Sequence, residues 1–422
     1  PAVAFVGLLV LLGGLLAATA TVAADPPVSS EAAKTAFASA AALQNREAWD
    51  LAAEEWQSLL AAHPNDPLAI KGRYYLAVCQ MKNGQWPAAV KTLQAVLASP
   101  ADPATIALAR WELGRGLFEQ AQAKPAAEAY ASAATALREF LDKSPKHPQT
   151  ADALNFLGES LWQSGRRGDA VAVWQQFVRD HADSPRLADV LYALAVGQAE
   201  TGGSAEAMAT FARFAKEFPK HPLAADVALW RADLATRAGK PADAEQLLAA
   251  VASGPGPRTA EALDRLGAAR WKQKNWAGAA DAYARLAVEH ATSPLAANAA
   301  VMAGRALVEA DRPDDARKIF TKSTAGSGLD AFEAAHQLAL LEIDAKQPAR
   351  AVEVVDAAIA KAAGRKDLGR DLVARLELAR ANALYAMPDR RSDAAAAYVA
   401  LAERHPDSPL AAGALVMAAT AA

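Results

Sequence analysis

An alanine followed four residues later by a large apolar side chain recurs along this chain, and that recurrence restricts its fold more than any other feature. The alanines are Ala52, Ala89, Ala126, Ala170, Ala207, Ala244, Ala279, Ala316, Ala351 and Ala394, spaced 37, 37, 44, 37, 37, 35, 37, 35 and 43 residues apart. Their partners are Trp56, Leu93, Tyr130, Trp174, Phe211, Leu248, Tyr283, Phe320, Val355 and Tyr398. Residues four apart share one helix face, one turn apart. A period of 35–37 residues marks an array of stacked structural repeats. The two long intervals add about seven residues, two helical turns, which return the buried face to nearly its original direction. This reading places the first insertion in the second helix of the third repeat.

Punctuation between the periodic stretches divides the chain into ten helix pairs. The expected pairs are 31–45 with 47–62, 68–82 with 87–98, 104–122 with 125–142, 149–164 with 167–181, and 186–200 with 204–217. They continue as 223–238 with 241–252, 258–273 with 276–290, 295–310 with 313–323, 329–345 with 348–363, and 368–386 with 391–404. A lone helix follows Pro409. Proline at the joints stops one helix and opens the next, and Gly84, Gly165 and Gly202 suit the turns within pairs.

Hydrophobic residues make up 53% of the chain but aromatics only 6%, because alanine supplies much of the apolar content. Alanine favours helix and lets helices approach closely. The 44 basic residues nearly balance 47 acidic ones, and no Lys/Arg run offers nucleic acid an electrostatic footprint. Val3 to Leu16 is almost wholly apolar and leads to Val22-Ala23-Ala24. Residues 1–24 therefore read as a secretory signal cleaved after Ala24, the alternative being an uncleaved membrane anchor, with 25–30 as a linker. The expected location is the bacterial periplasm or cell envelope. The single cysteine, Cys79, admits no intrachain disulfide and sits where a repeat helix needs a small buried side chain.

The units resemble tetratricopeptide repeats. Leu157-Gly158, Leu161, Gly165, Ala170, Trp174, Phe177 and Pro185 fall where that family places its small and large packing residues. So do Leu113-Gly114, Leu117, Ala126 and Tyr130, and Leu266-Gly267, Ala279, Tyr283 and Leu286. The resemblance covers nearly all of 31–422 and implies an all-α, right-handed superhelical solenoid acting as a non-catalytic scaffold for protein or peptide partners. Joints such as His181-Ala182-Asp183-Ser184-Pro185 and His405-Pro406-Asp407-Ser408-Pro409 also resemble those of bacterial envelope proteins of the outer-membrane assembly and Tol–Pal coordinator type.

Six of the seven histidines lie at joints: His63, His147, His181, His221, His290 and His405. Successive joints stand roughly a helix diameter apart, about 10 Å, whereas zinc ligands lie about 2 Å from one metal. Histidine at a helix C-terminus, where its partial charge suits the dipole, is the expected role. No catalytic or phosphate-binding motif occurs. The expectation is no catalytic residue, no cofactor, no metal and no nucleic-acid partner.

The face carried by the first helices is then the binding surface. Inward positions recur at i, i+4 and i+7. They give Trp111, Arg115 and Phe118 in the third pair, Asn155, Glu159 and Trp162 in the fourth, Tyr192 in the fifth and Trp271 in the seventh. Aromatic and arginine side chains there are potential anchors for a partner. The alternative for Trp111, Phe118 and Trp162 is packing against a neighbouring helix. Two other functions remain open: the accessory array of an enzyme whose catalytic domain lies elsewhere, and a structural spacer.

Overall fold

The computed structural model describes residues 28–365 and 367–422, and both the signal reading and the first part of the linker lie outside them. The described residues form twenty-one α-helices, one 3-10 turn and no strand. They divide into two compact units, which meet in sequence between Ser184 and Pro185.

The first unit contains α1 (Glu31–Asn45), α2 (Trp49–Ala62), α3 (Pro67–Lys82), α4 (Trp86–Leu97), α5 (Pro103–Ala123), α6 (Ala127–Lys143), α7 (Thr150–Gln163) and α8 (Arg167–Asp180). The second contains α9 (Leu187–Glu200), α10 (Ser204–Glu217), α11 (Ala224–Arg237), α12 (Pro241–Ser253), α13 (Thr259–Lys272), α14 (Trp276–Glu289) and α15 (Ala296–Glu309). It continues through α16 (Pro313–Ser323), α17 (Leu329–Asp344), α18 (Pro348–Ala362), α19 (Arg370–Tyr385), the 3-10 turn Pro388–Arg390, α20 (Arg391–Arg404) and α21 (Leu410–Ala421). Within each unit every helix packs on the next, and first helices also touch first helices: α1 with α3, α3 with α5 and α5 with α7, then α15 with α17 and α17 with α19. This is an all-α solenoid. Its helix boundaries agree with the sequence punctuation to within a few residues.

The alanine and its partner close each pair. Ala170 is inaccessible and Trp174 4% exposed; Ala207 with Phe211 and Ala316 with Phe320 are fully buried. The large side chain lies over a small residue of the first helix. A methyl added at Gly158 would sit 2.3 Å from Trp174 Nε1, at Gly267 2.7 Å from Tyr283, and at Gly304 2.4 Å from Phe320. The same register holds Ala40, Ala77, Ala195, Ala232 and Ala339 in other pairs, each at most 2% exposed.

The third pair departs from the sequence reading. Ala126 is not a buried helical residue but the exposed, extended N-cap of α6. The alanine that occupies the shared register is Ala133, fully buried, and its partner is Leu137, whose Cδ2 lies 2.7 Å from a methyl built on Gly114. Ala133 is one heptad beyond Ala126, and seven residues preserve helical phase, so spacing alone does not distinguish the two. The insertion therefore lengthens both arms of the α5–α6 hairpin: α5 runs to 21 residues and α6 to 17, against 14 in each of α7 and α8.

His63, His181, His290 and His405 are the C-caps of α2, α8, α14 and α20. His147 and His221 stand in the joints, edge-on to Phe140 and Phe214 at 5.1 and 5.4 Å. Cys79 is fully buried, and that burial pushes its thiol up to about 11, away from thiolate reactivity. No described helix is long and apolar enough to cross a membrane.

Candidate functional site: the first-helix face

The residues expected on the inward face separate by burial. Trp111 is 6% exposed, packed on Phe140 at 5.7 Å and stacked on Phe156 at 5.9 Å. Phe118 is 2% exposed, stacked on Phe156 at 4.8 Å and edge-on to Tyr130. Both rings therefore join first helices to their neighbours and are covered, so they are not partner anchors. The physical reason is the lengthened hairpin: its extra turns bring Tyr130 against Phe118, while α7 contributes Phe156.

Arg115, Asn155, Glu159 and Trp162 remain half-buried on the first-helix face of the first unit. Arg115 is tied to Glu112, one turn back, at 2.6 Å. Trp162 rests on Trp174 at 5.9 Å, with the Arg167 guanidinium 4.9 Å over its ring. Burial holds the Glu159 carboxyl above the usual range; a hydrogen bond with Gln122 opposes this and the nearby Glu119 charge adds to it.

The second unit carries the more developed site. An open groove of about 550 Å³ runs across α9, α11 and α13. Tyr192 and Trp230 form one wall, both half-buried and both backed by the inaccessible Phe211. Trp230 stacks on Phe211 at 6.1 Å with an 18° interplanar angle, and Tyr192 meets it edge-on at 6.1 Å. A core ring thus holds two groove rings in fixed orientation, a preorganised arrangement for recognition.

Charged residues line the same groove. Arg258 bridges Asp226 at 2.5 Å and Glu261 at 3.1 Å, while Arg265 reaches Glu261 at 2.6 Å. Lys272 lies at the same groove with no described ion pair, and Ala268 forms part of its floor. Further along α13, burial raises the Asp264 carboxyl. Trp271 is half-buried, edge-on to Trp276 at 5.0 Å and beneath the Arg305 guanidinium at 5.5 Å.

Tyr192 and Trp271 therefore stand on the expected face. Trp230 is the residue that sequence reasoning missed. It lies two positions before Ala232, between the inward positions counted from the small residue. Its ring packs on Phe211, as that of Tyr192 does, a contact that the i, i+4, i+7 rule does not register.

Helix pairs of this length, stacked through small residues beneath large side chains, define a class: an α-solenoid repeat protein. A tetratricopeptide repeat-like domain matches residues 167–327, and the tetratricopeptide repeat matches 37–104, 118–185 and 301–366. The chain is a tetratricopeptide repeat protein. Repeats of this family serve protein–protein association and are in general not catalytic. No curated protein matches the sequence.

Solved structures that resemble it include a tetratricopeptide repeat protein from Parabacteroides merdae. That protein is 17% identical, with a TM-score of 0.41 over 61% of this chain and 93% of the other. The C-terminal part of a repeat-containing protein from Cytophaga hutchinsonii is 16% identical, with a TM-score of 0.49 over 62% and 98%. PilF of Pseudomonas aeruginosa is 19% identical, with a TM-score of 0.37 over 54% and 94%.

Proposed function

We propose that this chain is a non-catalytic adaptor that holds an extended or helical segment of a partner protein on its first-helix face. The groove between Tyr192 and Lys272 is the primary site. The observation that carries this reading is the pair Tyr192 and Trp230, two partly open rings fixed on a buried phenylalanine beside a bank of charge. Partly open rings held rigidly beside charged groups fit the pattern of a binding hot spot. Trp162 with Glu159, and Trp271 with Asp264, are secondary contacts on the same face. The apolar leader read from residues 1–24 supports an exported scaffold in envelope assembly or organisation.

The test is a crosslinking capture from an envelope fraction, comparing the intact chain with Tyr192→Ala combined with Trp230→Ala. Loss of a discrete partner from a variant that keeps its helicity supports the groove. Unchanged capture refutes it. An enzyme partner that is captured and regulated would favour the accessory-array alternative.

A further inference from the structure

The residue just before the small packing residue of each first helix is a leucine in most pairs. Leu76, Leu157, Leu194, Leu266 and Leu338 hold this register and are between 3 and 6% exposed. The sixth pair replaces it with Arg231, ahead of Ala232. Arg231 is half-buried in that apolar layer, and a covered guanidinium nitrogen carries a desolvation cost unless an acceptor meets it. No described residue makes an ion pair or hydrogen bond with Arg231, and its Nε is buried without an acceptor.

Around that side chain the second unit opens a cleft of about 820 Å³ between α10, α11 and α12. Its walls include Met208, Leu234, Ala235 and Leu247, with Arg231 among them. Lys240 and Asp243 stand exposed at the margin, and Asp243 forms no ion pair with Arg231. The cleft is separate from the Tyr192–Trp230 groove, because Trp230 and Asp233 of α11 line that groove while Arg231 and Leu234 line this one.

We propose that this cleft binds a carboxylate with an unbranched apolar tail, an amphiphile of the fatty-acid type. The guanidinium offers a planar pair of donors that matches a carboxylate. The walls offer apolar area, including the adaptable Met208 side chain. The volume falls within the range of about 300–1,000 Å³ usual for small-molecule sites, which are mostly apolar with a few polar groups. Arg231, with the exposed Lys240 at the margin, favours an anionic head over a cationic one. This site does not depend on the peptide groove and stands or falls separately from it.

The experiment titrates sodium dodecanoate, below its micelle concentration, into the full chain by calorimetry. Dodecyltrimethylammonium is the tail-matched cation. The expected result is one saturable site for dodecanoate and none for the cation. Arg231→Leu restores the leucine that other pairs hold, so the variant folds, and circular dichroism confirms it. Loss of one charge-assisted pair weakens dodecanoate binding by about tenfold or more in Arg231→Leu, while Arg231→Lys retains most of it. Equal binding by Arg231→Leu, equal binding of the cation, or no binding by the wild-type chain overturns the proposal. Arg231-dependent binding of an acidic peptide in place of dodecanoate also overturns it, in favour of a protein occupant.

Discussion

Gly158→Ala tests the packing rule that builds the array. A methyl on Gly158 falls 2.3 Å from Trp174 Nε1 and 2.6 Å from its Cδ1, where about 3.5–4 Å is the comfortable separation. The indole is rigid and 4% exposed, so it cannot swing into solvent, and α7 and α8 must part. Overpacking of this kind costs about 1–3 kcal/mol, and a rigid ring belongs at the upper end. Alanine regains about 1 kcal/mol of helix propensity over glycine. The net expectation is a loss of about 2 kcal/mol.

Gly116→Ala is the matched control. Its methyl would meet Val90 and Met81 at 3.7–3.9 Å, ordinary contact in a helix interior, so the propensity gain of about 1 kcal/mol stands alone. Arrays need not unfold in one step, so the readout is native-state hydrogen exchange of the α7–α8 and α5 amides, supported by denaturant melts. Adding Trp174→Phe to Gly158→Ala reproduces the Ala195 and Phe211 combination of the fifth pair and recovers most of the loss. If Gly158→Ala equals wild type in stability, helix pairs spread freely, and small residues do not set the spacing. The first pair already combines Ala40 in the register of Gly158 with Trp56 in that of Trp174, both fully buried.

Other expectations follow from the buried charges. Glu342 is 4% exposed and held by Arg317 at 2.8 Å; Arg317→Met strands its carboxylate and costs about 1–3 kcal/mol, which Glu342→Gln in the same chain partly restores in urea melts. Burial raises the folded pKa of Glu159, so its contribution is fully present at acid pH and lost as pH rises through that value. Glu159→Gln therefore stabilises the first unit at pH 7 and has little effect near pH 3, measured by the melting difference at the two pH values. Burial lowers the folded pKa of His336, with Glu333 opposing and Arg375 reinforcing. The unfolded chain then takes its proton first, and stability falls as pH drops through about 6.5. His336→Leu flattens that slope between pH 8 and 5; an unchanged slope would assign it to other groups.

The repeat was legible because its signal was redundant: Ala170 with Trp174, Ala207 with Phe211 and Ala316 with Phe320 each state the same geometry independently. Where one unit departs, redundancy misleads. Ala126 and Ala133 differ by a heptad and are indistinguishable by phase, and only the exposure of one and burial of the other decides between them. The first-helix face was legible to the level of Tyr192 and Trp271, which stand half-buried on it. Trp111 and Phe118 obeyed the same spacing yet are covered, because coverage depends on what a neighbouring helix contributes, here Phe156 and Tyr130. Trp230 was hidden for the converse reason, since its ring is aimed by Phe211 of another helix. The Arg231 substitution is visible in the aligned registers, but the cleft around it appears only when α10, α11 and α12 are assembled.

The central claim is that the Tyr192–Trp230 groove is where a partner lies. Its most direct test is a photoreactive phenylalanine analogue placed in turn at Tyr192, at Lys272 and at Val288, which is 71% exposed on α14. Peptides first selected for binding to the intact chain from a random library are then irradiated with each variant and the products mapped by mass spectrometry. Crosslinking from positions 192 and 272 to one peptide segment, with none from 288, is the predicted result. Crosslinking from 288 alone, or equal yield from all three positions, would contradict the account.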